Sequence, residues 1–120
     1  MDYWGYHLLL DCSGSPRELV RNRLHLYNFV KQLVKDIDMK AYGEPVLEHF
    51  ATHDPDKAGY SLVQLIETSN ITGHFVDKNG SIYLDVFSCK PFNTEVAINT
   101  VKEFFKPEKI KIHFIVRNAD

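Results

Sequence analysis

A chain of 120 residues, 44% apolar and 25% charged, has the size and composition of one globular domain with one core. Its formal charge of −2, with no run of Lys or Arg, argues against a nucleic-acid footprint. Its apolar runs are far too short to span a bilayer, and residues 1–5 lack the basic and apolar regions of a secretory leader, so the expected location is cytoplasmic. Two cysteines, Cys12 and Cys89, are too few for a disulfide scaffold or a zinc knuckle, and are expected as free thiols.

No repeat, low-complexity tract or linker divides the chain. Residues 4–12 carry the run Tyr6-His7-Leu8-Leu9-Leu10 and read as a buried strand. Ser15, Pro16 and Glu18 form a helix-start signature: a cap, a first-turn proline and a capping-box glutamate. Leu19, Leu26, Val30, Leu33, Val34 and Ile37 follow at near-helical spacing, which predicts one helix to about Ile37. Residues 46–51 are a weaker strand, and the polar stretch 52–59 a loop. Residues 60–67 and 70–76 read as strands. Asn79-Gly80 is a hairpin signal, and 81–88 is the returning strand, apolar or aromatic on both faces. A second helix starts at Asn93 and is stopped by Pro107, and residues 109–116 alternate as a last strand. The order predicts a single α+β domain over residues 1–120: a two-layer antiparallel sheet with two helices on one face. A second apolar face on that sheet needs a partner, and sheet-to-sheet homodimerisation into an αββα sandwich meets the need.

Ser61, Ser69, His74 and Cys89 fall on neighbouring strands. Ser61 and Ser69 share strand parity and would face one side of an unbroken strand. A hydroxyl nucleophile, an imidazole base and a thiol acid are what acyl-shift and proton-transfer chemistry requires. On spacing alone each residue also has a structural reading: a strand serine, a backbone-bonded histidine, a buried thiol. His49 and His53 stand four apart, but the local pattern is not helical and no acidic third ligand is spaced to help, so no metal is expected.

The register of these residues adds a resemblance. Ser61, then Glu67-Thr68-Ser69-Asn70-Ile71-Thr72-Gly73-His74, then Gly80, then Asp85-Val86-Phe87-Ser88-Cys89, with Gly5-x-His7-Leu8 near the start, resembles the short prokaryotic S-adenosylmethionine decarboxylases. The resemblance covers nearly the whole chain. It implies a self-made pyruvoyl cofactor. Ser69 Oγ would attack the Thr68 carbonyl carbon, Ser61 would help hold the intermediate oxygen, and His74 would favour loss of the ester. The chain would be cut between Thr68 and Ser69, and the new ketone would join a substrate amine and draw electrons as CO₂ leaves. Cys89 would return a proton to the substrate α-carbon.

The sequence also departs from that family pattern. Thr68 precedes the serine where the family has Glu, and Asn70 follows it where the family has His. Lys78 stands where a Glu is associated with the nucleoside ribose, and Lys cannot accept hydrogen bonds. Asp77 is one place away, and Phe50 is a candidate aromatic for stacking on adenine. Three readings follow: a decarboxylase of S-adenosylmethionine for spermidine and polyamine synthesis; a pyruvoyl decarboxylase of ornithine or arginine; and an unprocessed homologue acting as a binding or regulatory partner.

Overall fold

The computed structural model describes residues 2–120. Its elements run β1 (Gly5–Ser13), α1 (Arg17–Val20), α2 (Arg23–Asp36), β2 (Ala41–Phe50), β3 (Gly59–Ile66), β4 (Ser69–Val76), β5 (Ile82–Ser88), α3 (Thr94–Phe105) and β6 (Lys109–Arg117). The six strands form one sheet in the order β2-β3-β4-β5-β1-β6, and every neighbouring pair is antiparallel. This is the α+β architecture expected from the element order.

Strand alternation sorts side chains onto two faces. One face carries Leu8 and Leu10 of β1, Leu62 and Ile66 of β3, Ile71 and Phe75 of β4, and Ile82, Leu84 and Val86 of β5, all buried. The helices cover it. α2 presents Leu26, Phe29, Val30, Leu33 and Val34, spaced as one helical stripe, and α3 adds Ala97, Val101 and Phe105. Phe29, Phe75 and Phe105 meet at the centre, with ring centroids 4.8 Å apart for Phe29–Phe105 and 5.4 Å for Phe75–Phe105. Truncating a fully buried ring such as Phe29 to Ala costs about 3–5 kcal/mol.

Four local readings are corrected by the structure. The helix expected from Ser15 to Ile37 is two helices: Asn22 leaves helical geometry and its side chain accepts the His25 N–H, capping α2. Pro16 flanks α1 rather than opening it, and Ser15 makes no capping bond because its hydroxyl is buried without a partner. β2 begins five residues earlier than its apolar run suggests (Ala41 against Val46), because a bulge between Tyr42 and Val46 hides the alternation. Gln64, fully buried on the core side of β3, stabilises that bulge by donating to the Leu65, Gly43 and Tyr42 carbonyls at 2.8, 3.2 and 3.4 Å. The β4–β5 connection spans Asp77 to Ser81, with only Gly80 at positive φ (+73°), so it is not a two-residue Asn-Gly turn.

The opposite face has no covering layer among the described residues. Tyr42, Val46, Val63, Leu65, Tyr83 and Ile115 lie there by register and are all exposed. At its centre His7 Nε2 and Asp85 Oδ1 stand 3.0 Å apart, joining β1 to β5.

Candidate active site

Two clusters of reactive groups occupy opposite ends of β4. At one end Ser61 and His74 are cross-strand partners on the open face. Ser61 Oγ lies 3.0 Å from His74 Nδ1, and His74 Nε2 lies 2.8 Å from the Lys57 carbonyl oxygen. A carbonyl can only accept, so Nε2 carries the hydrogen. In the neutral ring Nδ1 is then a lone-pair acceptor that takes the Ser61 hydroxyl proton. A hydroxyl, a base and a group orienting the base thus stand in line. Lys57 reaches this position from the 51–58 loop, which closes back on the sheet at Gly59. A Cβ at Gly59 would run into the Phe75 carbonyl, so only glycine fits there. A cleft of about 340 Å³ beside His74 is lined by Asp56, Lys57, Asn79, Ser81 and Tyr83 among others.

At the other end, Glu67 and Thr68 form the two-residue turn between Ile66 and its partner Ser69. The Thr68 carbonyl oxygen accepts the Cys89 backbone N–H at 2.9 Å. Attack on that carbonyl carbon drives negative charge onto this same oxygen, so the Cys89 N–H is a ready donor for it. Ser69 pairs with Ser88 and is half-buried, and the Cys89 thiol is exposed. Ser88 Oγ lies 2.7 Å from Thr68 Oγ1.

The shared parity of Ser61 and Ser69 does not survive the turn between them. Ser61 lies on the open face, while Ser69 pairs with Ile66 and Ser88, both buried on the core side. At φ +157° Ser69 also departs from regular strand geometry. The clusters are far apart within one chain: Ser69 and His74 are five positions apart on β4, about 17 Å at ~3.3 Å per residue.

Phe50 ends β2 and is exposed. Asp77 is bound elsewhere: its Oδ2 lies 2.6 Å from Nε2 of His49, which shares strand parity with buried Leu47. His49 is therefore a strand residue with a carboxylate partner. Lys78 is drawn out to the 51–58 loop, its ammonium 2.5 Å from Asp56 Oδ1. Hydrogen bonding and then charge raise the Lys78 pKa and lower that of Asp56. Sequence reasoning missed Lys57 and Ser88. Lys57 acts through its backbone and leaves no residue-type signal. Ser88 left one: strand parity with Val86 and Leu84 puts a hydroxyl in the core, where it needs a partner.

Residues 6–118 match the family model described as S-adenosylmethionine decarboxylase. The chain belongs to the S-adenosylmethionine decarboxylase family. An S-adenosylmethionine decarboxylase proenzyme of Clostridium botulinum is 29% identical over 118 residues, covering 98% of this chain and 97% of that protein. One from Archaeoglobus fulgidus is 26% identical over 113 residues, covering 93% and 95%. The crystal structure of the adenosylmethionine decarboxylase from Aquifex aeolicus has the same fold, with a TM-score of 0.84 at 19% identity, over all of this chain and 95% of that one. The resemblance carried by the Ser61 to Cys89 register is thus a true family relationship, and the family is one of carboxy-lyases.

The two thiols of this decarboxylase-family chain differ sharply. Burial, followed by the charge of Asp11, pushes the Cys12 thiol up to about 11, whereas Cys89 is exposed. Iodoacetamide on the native protein near pH 8 should therefore label Cys89 and spare Cys12, as read by peptide mass spectrometry. Equal labelling of both in the folded protein would contradict the burial of Cys12.

Proposed function

We propose that this chain is a proenzyme that cuts itself between Thr68 and Ser69, gains a pyruvoyl group from Ser69, and decarboxylates S-adenosylmethionine. The observation that carries the reading is the Cys89 N–H on the Thr68 carbonyl oxygen, beside the serine that the family register singles out. The balance is simple. Ser69 Oγ bonds to the Thr68 carbonyl carbon, the C–N bond breaks, and the hydroxyl proton ends on the freed amine. The ester then loses a proton from Ser69 Cα, and Thr68 leaves as a carboxylate. Water replaces ammonia on the remaining dehydroalanine to leave the ketone. That ketone supplies the electron sink for loss of CO₂. In this reading Cys89, whose backbone adjoins the same bond and whose residue is exposed, returns the proton to the substrate α-carbon.

The acting unit in this reading is a homodimer. The cut bond and the Ser61–His74 pair lie about 17 Å apart in one chain, too far for proton transfer. The open apolar face offers the remedy. A two-fold axis across that face, perpendicular to the strands and near Thr72, places one end of β4 over the opposite end of its copy. The partner's His74, its ring oriented by the partner's Lys57 carbonyl, then takes the proton from Ser69 Cα.

Two observations bear on the substrate. Lys78 is tied to Asp56, so its charge is compensated rather than set against a sulfonium. The cleft beside His74 supplies Asn79, Ser81 and Tyr83 as polar groups for hydroxyls in place of the family glutamate. The test is release of labelled CO₂ from S-adenosylmethionine, ornithine and arginine, run side by side on cleaved protein. Preference for S-adenosylmethionine is the expected result. Preference for ornithine or arginine would overturn the substrate assignment while leaving the pyruvoyl chemistry intact.

A further inference from the structure

We propose that Ser88 is a positioning residue for self-cleavage, acting through the Thr68 hydroxyl to hold the scissile carbonyl against the Cys89 backbone N–H. The inference rests on Thr68–Ser69 being the bond that is cut. Ser88 is fully buried at the end of β5 and pairs in register with Ser69. Its hydroxyl accepts the Lys90 N–H at 3.0 Å and lies 2.7 Å from Thr68 Oγ1. The Thr68 hydroxyl in turn lies 3.4 Å from Met39 Sδ. Ser88 Oγ also lies 3.7 Å from Met39 Sδ, so the two hydroxyls and the thioether form one closed cluster in which the short Ser88–Thr68 contact is the strongest link.

Two consequences follow from that cluster. The Thr68 hydroxyl hydrogen has an acceptor within it, Met39 Sδ or Ser88 Oγ, so it is not directed at the Thr68 carbonyl oxygen. That oxygen keeps the Cys89 N–H as its donor. Residues 88–90 also hold Thr68 at two points, the main-chain oxygen on Cys89 and the side chain on Ser88. Fixing both substituents fixes rotation about the Thr68 Cα–C bond, and with it the plane of the scissile peptide. A carbonyl plane fixed before reaction is what lets a neighbouring hydroxyl approach along one trajectory. Where the family places Glu, this chain has Thr68, the residue whose short hydroxyl reaches Ser88.

The experiment follows cleavage of freshly made full-length protein by intact mass. Thermal midpoints are taken for each variant, to separate a rate effect from loss of folding. Ser88→Ala and Thr68→Val should each slow cleavage by roughly five- to tenfold, the scale of one net hydrogen bond. Thr68→Ser, which keeps the hydroxyl, should stay within about threefold of the wild type, and the double variant S88A/T68V should be no slower than the slower single, because both break one connection. Wild-type cleavage rates in Ser88→Ala, or effects that multiply in the double variant, would overturn the role of Ser88 and leave the cleavage reading standing. Should Ser88→Ala not fold, the contrast between Thr68→Val and Thr68→Ser decides, since Thr68 lies in a turn. A wild type that never cleaves would overturn both the reading and this inference.

Discussion

Ser69→Ala should leave the chain as one uncut 13.9 kDa species with no decarboxylase activity. Alanine has no oxygen to attack the Thr68 carbonyl, so no ester forms and no ketone follows. The effect is a complete loss rather than a graded one. No other hydroxyl replaces it, because the Thr68 side chain is committed to Ser88 and Met39 and Ser88 is buried across the ladder. The fold should persist, since Ser69 is half-buried and its side chain takes no part in the aromatic centre around Phe29. Intact mass and thermal midpoint together check this. Cleavage at the same bond in Ser69→Ala would remove the mechanism.

The second large effect concerns where His74 acts. His74→Ala alone should slow cleavage by roughly a hundredfold or more, the usual range for removing a general base. Co-expressing Ser69→Ala with His74→Ala then distinguishes the two geometries. If His74 serves its own chain, neither polypeptide of a mixed dimer carries a complete set, and nothing is cut. If it serves the partner, one of the two sites is complete: Ser69 on the His74→Ala chain, His74 on the other. Only the His74→Ala chain should then be cut. The separation of about 17 Å along β4 predicts this second result. Its absence in confirmed mixed dimers would mean that the partner does not complete the site.

Legibility from the sequence followed the strength of local physical signals. α3 was plain because Asn93 caps it and Pro107 follows its left-handed Lys106. β1 and β5 were plain because alternation or continuous apolarity marks strands flanked by turns. The helix break at Asn22 was hidden because leucines on either side keep helical spacing, while the cap depends on one side-chain bond to His25. The start of β2 was hidden because its bulge is stabilised by Gln64, a residue distant in sequence.

The site divided in the same way. Residue types and spacings pointed to Ser61, Ser69, His74 and Cys89. The direct contact of Ser61 with His74 comes from antiparallel register, which a hairpin sequence implies. The separation of Ser69 from that pair was not legible, because parity counted along one strand does not cross the Glu67–Thr68 turn. The Lys57 carbonyl and the Cys89 N–H are backbone groups, and backbone groups have no residue-type signature.

The central claim is the self-made ketone, and intact mass of freshly purified wild-type protein tests it most directly. The account predicts two fragments, residues 1–68 and 69–120, the second blocked to stepwise N-terminal degradation and reactive towards a hydrazide reagent as a ketone. A single uncut chain after long incubation, or a second fragment beginning with a free serine amine, would contradict it.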